Sequence, residues 1–130
     1  GKPPGNQKVS HCFPMNLNYQ DPNVFQIDGI MNTYQYALDQ VNLSGPTFFG
    51  EVIQTAMQQA ADAKAKGSVQ YIILLILTDG IIHDFQKTKD LLVAACDLPL
   101  SVIVVGIGDE DFEKMDELDG DDEPLRNSKG

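Results

Sequence analysis

The sequence predicts an α/β fold with a doubly wound, mainly parallel sheet, and three neighbouring segments carry that prediction. Residues 71–77 ("YIILLIL") and 101–106 ("SVIVVG") are continuous apolar runs, and a helix is predicted between them at about residues 85–96, where Leu98-Pro99 ends it. A strand that is apolar on both sides is typical of a parallel sheet with both faces buried. Strand, helix and strand within about 35 residues form the crossover unit of such a sheet.

Two more helices are predicted before this unit, because apolar residues recur there at helical spacing. The first runs from about residue 27 to 41. The second runs from about 48 to 65, and Gly67 suits its end. The apolar positions are Ile27, Ile30, Met31, Tyr34, Leu38 and Val41 in the first helix and Val52, Ile53, Ala56, Met57 and Ala60 in the second. Asp84 is placed to cap the third helix, which starts at about residue 85.

The two ends of the chain give weaker patterns. Residues 9–17 alternate between apolar and polar, which predicts a strand with one buried face. Pro14 lacks an N–H for a strand ladder, so we expect this strand at a sheet edge. Residues 111–118 predict a short helix whose apolar points are Phe112, Met115 and Leu118.

The composition limits the class of protein. At 130 residues the chain is one domain at most, with 19 acidic and 9 basic residues and a net charge of −10. This balance argues against binding to nucleic acid and against direct docking on anionic lipid. Cys12 and Cys96 fit neither a disulfide framework nor a zinc spacing, and we interpret them as reduced thiols of an intracellular protein.

Asp79 is the first candidate ligand-binding residue, since it ends a central apolar strand. Open α/β sheets bind ligands at the carboxyl ends of their strands. Thr47 precedes the second helix and is expected at the same rim. A hydroxyl and a carboxylate are oxygen ligands suited to Mg²⁺. The ordinary alternatives are a turn for Asp79 and Gly80 and a helix N-cap for Thr47.

Two catalytic interpretations are weaker. An NTPase needs a glycine-rich loop ending in Gly-Lys-Ser/Thr, which this sequence lacks. A hydrolase with Asp79 as nucleophile needs a nearby base or cation. His83 is the one nearby candidate, and a single loop histidine is more often solvated. We therefore expect no catalytic residues.

Four stretches resemble, in the same order, the von Willebrand factor A-type domain of the copines: "VSHCFPMNLN", "LSGPTFFGEVIQTA", "YIILLILTDG" and "LPLSVIVVGIGDEDFEKMDELDGDDEPLR". "LDGDD" at 118–122 is specific to copines among A domains. The resemblance implies that residues 1–130 are part of one such domain. Thr47 and Asp79 match two ligand positions of the metal-ion-dependent adhesion site of that domain. This sequence has no counterpart of the Asp-x-Ser/Thr-x-Ser loop of that site, of the first strand, or of the last strand and helix. An incomplete domain is therefore expected.

The resemblance also implies a function: a non-enzymatic, intracellular protein-interaction domain of a copine. Mg²⁺ or Mn²⁺ would bind at the incomplete site. Ca²⁺ and phospholipid would bind through C2 domains outside this chain, and the full-length protein would move from the cytoplasm to membranes. The expected partners are intracellular proteins, and a second copy could complete the sheet. The alternative is the interaction module of a copine-like RING-type ubiquitin ligase. The spacing in residues 116–123 excludes an EF-hand loop, so we interpret the acidic tail as solvated surface.

Overall fold

The computed structural model describes residues 1–119 and 124–129. Its elements are α1 (Gln26–Gln40), α2 (Gly50–Ala65), β1 (Ile72–Thr78), α3 (Phe85–Ala95), β2 (Leu100–Gly106) and α4 (Glu113–Asp116). The chain forms two compact units, Gly1–Pro46 and a second that starts at Thr47. Among the described residues, no helix is long and apolar enough to cross a lipid bilayer.

The second unit is built on a parallel pair of strands. β1 and β2 pair from Ile72 opposite Leu100 to Thr78 opposite Gly106, and α3 connects them. α2 contacts both strands and also α3. The predicted α/β class and the parallel pairing are therefore confirmed.

The core of this unit lies along α2. Ile53 is 1% exposed and Ala60 is fully buried, and Ala56 and Ala63 are buried on the same helix. Alanines at these positions allow the helix axis to approach the sheet closely. The burial of one isoleucine side chain contributes about 1.5–3 kcal/mol. From α3, Thr88 enters the same interior at 1% exposure.

The two faces of the sheet differ in exposure. Along β1 the side chains alternate between half-buried positions and exposed ones. The exposed set, which we call the open sheet face, consists of Ile73 (65%), Leu75 (55%), Leu77 (61%), Ile103 (48%) and Val105 (41%). The expectation that both faces of these strands are buried is wrong for the described chain. Apolar composition predicted the surface that favours burial but did not predict what covers it.

The first unit contains α1 and a loop closed by an isolated bridge. The Lys2 N–H donates to the Asn42 carbonyl at 2.8 Å, and the Asn42 N–H donates to the Lys2 carbonyl at 3.1 Å. The predicted helix is confirmed, but its apolar stripe is not buried: Ile27 is 75% and Met31 is 60% exposed, and Ala37 is the buried residue of α1.

The strand predicted over residues 9–17 is wrong, because this segment is irregular. The Leu17 N–H donates to the Pro14 carbonyl at 2.9 Å, and Leu17 has a positive φ of 57°. Pro14 has no N–H for a ladder and begins a tight turn instead. The alternating pattern therefore describes a partly buried loop. The short helix predicted in the tail is confirmed as α4 and is shorter than expected.

Candidate functional site

The two predicted metal-ligating residues lie on neighbouring loops of the second unit. Asp79 follows the last residue of β1, and Thr47 lies three positions before the start of α2. Both are exposed. After Asp79 the chain turns through Gly80, whose φ of 112° is unfavourable for other residues.

A reciprocal pair of hydrogen bonds joins these two loops. The Thr47 N–H donates to Nδ1 of His83 at 3.1 Å, and the His83 N–H donates to the Thr47 carbonyl at 3.0 Å. Thr47 is therefore fixed to a residue four positions after Asp79. His83 is not the purely solvated side chain that we expected. Its partner is 36 residues away in the sequence, so no local pattern pointed to it.

Asp84 caps a different helix from the one predicted. It stands at the N-cap position of α3, but its side chain makes no capping bond there. Instead Oδ1 accepts the Phe49 N–H at 2.9 Å and Oδ2 accepts the Gly50 N–H at 2.8 Å. These N–H groups begin α2, where a negative charge is also favoured by the helix dipole. The N-cap alternative for Thr47 fails, because the N-cap of α2 is Phe49.

Gly50 leaves room for this arrangement. A Cβ atom at Gly50 would lie 2.9 Å from Oδ2 of Asp84, closer than real contacts allow. Together, His83 and Asp84 hold residues 47–50 against the loop that follows β1. We call these contacts the loop clamp.

Phe112 packs over the carboxyl ends of both strands. A Cβ atom at Gly106 would lie 2.6 Å from the Phe112 ring, and one at Gly80 would lie 3.1 Å from it. The ring therefore occupies space that a side chain at either glycine would fill. The Ile107 N–H donates to the Thr78 carbonyl at 2.8 Å and continues the pairing beyond β2. The Phe112 ring is therefore closely packed against the glycines of this rim.

The residues present fit a divalent cation only in part. Mg²⁺ prefers six oxygen ligands, and Thr47 and Asp79 offer two side chains of that kind. Within residues 1–119 and 124–129, no three His, Cys, Asp or Glu side chains gather as a metal-binding group. Water molecules would have to supply most of the coordination of any ion at this rim.

Comparison with known proteins gives the family. The copine sequence profile matches residues 1–130. The chain is 49% identical over 131 residues to Protein BONZAI 1 of Arabidopsis thaliana, which covers 100% of the chain and 23% of that protein. It is 40% identical over 123 residues to Copine-A of Dictyostelium discoideum, covering 95% of the chain and 20% of that protein.

A third relative is Nicotinic receptor-associated protein 1 of Caenorhabditis briggsae, 46% identical over 125 residues, with 96% of the chain and 20% of that protein covered. The chain thus spans about a fifth of the length of the curated relatives it matches. The profile match over residues 1–130 and these identities show that the chain belongs to the copine family.

Proposed function

We propose that this chain is a non-enzymatic protein-interaction domain of an intracellular copine-family protein. The open sheet face carries the proposal. Its five large apolar side chains are 41–65% exposed and lie side by side on two paired strands. Contiguous exposed apolar surface marks sites of protein association, whereas single exposed apolar residues are ordinary.

The name of one relative supports a protein partner. The Caenorhabditis briggsae protein is named for association with a nicotinic receptor. For the parent protein of this chain we propose Ca²⁺-dependent phospholipid binding through C2 domains outside the chain, and recruitment from the cytoplasm to membranes. The net charge of −10 supports the proposal that this segment contacts proteins and that other segments contact anionic lipid.

For the rim we propose a role in holding Mg²⁺ or Mn²⁺, with Thr47 and Asp79 as ligands. The loop clamp supports this assignment, because it fixes the backbone of Thr47 to the loop that starts at Asp79. Two ligands without further protein oxygens give weak binding. Metal is therefore an accessory to the proposed interaction function and not its basis.

A second copy of the chain is one proposed partner. β1 and β2 form a two-stranded sheet in the described chain, so each has an edge without a strand neighbour. Such edges and the open sheet face favour association with other chains.

Site-specific photo-cross-linking in the full-length parent protein tests the interaction function. Tyr71 lies beside the open sheet face and is 58% exposed, and p-benzoylphenylalanine is close to it in shape. The matched control places the same photoreactive residue at Gln59, an exposed position on α2.

We expect cross-links from position 71 to a separate protein chain, and far fewer from position 59. Cross-links confined to the same polypeptide, or equal yields at the two positions, would show that the open sheet face is not an interaction surface.

A further inference from the structure

Ser128 is bound to α3 by two hydrogen bonds to one carboxylate. It lies in the last described segment, residues 124–129, which contains no helix or strand. The Ser128 N–H donates to Oδ1 of Asp90 at 2.7 Å, and the Ser128 hydroxyl donates to Oδ2 of Asp90 at 2.9 Å. The hydroxyl proton is therefore part of the contact that holds this segment on α3.

The same hydroxyl is accessible to an enzyme. Ser128 is exposed, and so are its neighbours Arg126 and Lys129. Because the segment contains no helix or strand, it can enter the cleft of a modifying enzyme without the loss of a regular element. Exposed, irregular segments of this kind often carry functional residues.

The charges around Ser128 are typical of a serine that a basophilic protein kinase recognises. Arg126 lies two positions before it and Lys129 one position after it. Residues 124–129 contain no acidic residue, although the chain as a whole has a net charge of −10. Kinases choose among serines partly by the pattern of charges beside them.

The other four serines of the chain lack this combination. Ser10 and Ser101 are half-buried. Ser44 has no basic residue within ten positions. Ser68 is exposed and has a lysine two positions before it, but its oxygen accepts a backbone N–H at 3.2 Å. Ser128 thus combines exposure, flanking basic residues and a hydroxyl that donates to a carboxylate.

We propose that Ser128 is a phosphorylation site and that its phosphorylation releases residues 124–129 from α3. A basophilic protein kinase transfers the γ-phosphoryl group of a nucleoside triphosphate. A bond forms between the Ser128 oxygen and the γ-phosphorus, and the bond from that phosphorus to the departing nucleoside diphosphate breaks. The hydroxyl proton passes to the general base of the kinase. This proposal goes beyond the interaction function and does not depend on it.

Electrostatic repulsion and the loss of a donor both favour the release. A phosphoserine carries a charge of about −1.5 to −2 at pH 7, and beside an aspartate this charge disrupts a contact. Its ester oxygen has no proton to donate to Asp90. The pKa of Asp90 is lowered most by the Ser128 N–H and least by the charge of Lys129. One lysine leaves the pair of a phosphate and a carboxylate with a net negative charge.

Phosphorylation of the full-length parent protein in vitro tests the site. The probe is the catalytic subunit of cyclic-AMP-dependent protein kinase with ATP, and mass spectrometry locates the phosphate. We expect phosphate at Ser128, with Ser68 as the internal control that remains unmodified. Arg126→Ala should slow the modification by about tenfold, as for the loss of a hydrogen bond to a charged group. Lys8→Ala, which removes an exposed basic residue of the first unit, should leave the rate unchanged.

Hydrogen exchange measured by mass spectrometry on the same protein tests the release. We expect phosphorylation to speed amide exchange in residues 124–129 by about tenfold, because the Ser128 N–H loses its charged acceptor. In Asp90→Arg the phosphate meets a guanidinium, so phosphorylation should slow exchange there instead. Asp97→Arg is the matched control, since Asp97 is an exposed residue just after α3. In that variant phosphorylation should still speed exchange.

Three results would overturn the proposal: no phosphate at Ser128, unchanged exchange in residues 124–129 after phosphorylation, or the same response in Asp90→Arg and Asp97→Arg. None of them would affect the cross-linking result at position 71, which tests the open sheet face. Failure of the phosphorylation site and failure of the interaction function are therefore distinguishable.

Discussion

Helices α1 and α2 have nearly the same length and a similar apolar periodicity, yet they differ in burial. α2, with 16 residues, buries Ile53 and three alanines. α1, with 15 residues, buries Ala37 and leaves its large apolar side chains exposed. The stripe of α2 is rich in alanine and lies against a sheet, whereas the stripe of α1 consists of large residues without cover. Periodicity therefore shows which side of a helix favours burial, and packing decides whether burial occurs.

The largest test of this difference compares one substitution in the two helices. Ile53→Ala removes a side chain that is 1% exposed, and we expect it to lower the free energy of unfolding by about 2–4 kcal/mol. Ile30→Ala in α1 removes a side chain that is 49% exposed and should cost about 0.5 kcal/mol or less. Urea denaturation of both variants measures this. Equal losses would mean that the stripe of α1 is packed in solution.

The exposed apolar surfaces should drive association. We expect the chain to self-associate in dilute buffer, and Leu75→Lys on the open sheet face to weaken association by about tenfold, equivalent to about 1.4 kcal/mol. Leu43→Lys is the matched control, since Leu43 is an 82% exposed loop residue outside that face. Sedimentation velocity measures both. A compact monomer of the unmodified chain would contradict this prediction.

The loop clamp should stabilise the start of α2 in a way that α1 lacks. Asp84→Ala leaves the Phe49 and Gly50 N–H groups without their acceptor. We expect it to lower the free energy of unfolding by about 0.5–2 kcal/mol. Asp28→Ala, in the first turn of α1, removes a carboxylate from a helix that has no side-chain cap and should cost about 0.5 kcal/mol. Hydrogen exchange should rise in the first turn of α2. Unchanged exchange there would show that the clamp does not hold the helix.

Metal binding should be weak. We expect the chain to bind Mg²⁺ or Mn²⁺ with a Kd in the millimolar range or weaker, about −4 kcal/mol at best. The parent protein should bind more tightly, and Asp79→Ala should abolish that binding with little loss of stability, since Asp79 is exposed at the rim. Calorimetric titration of both proteins measures this. Binding by the parent that survives Asp79→Ala would place the site on other residues.

The smallest expected effect concerns pH. The Ser128 N–H bond, followed by the Gln86 side chain, holds the pKa of Asp90 below its ordinary value of 3.8. Because the pKa of Asp90 is lowered when Ser128 is bound to it, the ionised carboxylate favours the bound segment at pH values above the ordinary pKa. This preference is lost as pH falls through the lowered pKa. We expect the segment around Ser128 to detach from α3 in that acidic range. The Ser128 amide shift reports it, and Asp90→Asn should remove the pH dependence.

Much of the fold was predictable from the sequence. The apolar runs at 71–77 and 101–106 predicted β1 and β2. Helical spacing predicted α1 and α2, and start and stop signals predicted α3, within a few residues of their observed bounds. The prediction failed at residues 9–17, where alternation continued through Pro14 into a turn. Residues 9–17 are all half-buried, so the alternation of residue types there does not correspond to an alternation of burial as it would in a strand.

In the candidate site, too, some features were predictable from the sequence and others were not. The sequence by itself determined that Asp79 ends a strand and that Thr47 precedes a helix, because both follow from local apolar patterns. Only the tertiary structure decided that His83 binds Thr47, that Asp84 caps α2 and that Phe112 packs against Gly80 and Gly106. The His83 and Asp84 contacts join residues 36 and 35 positions apart, and backbone hydrogen bonds and glycine clearances leave no trace in the local spacing of residue types.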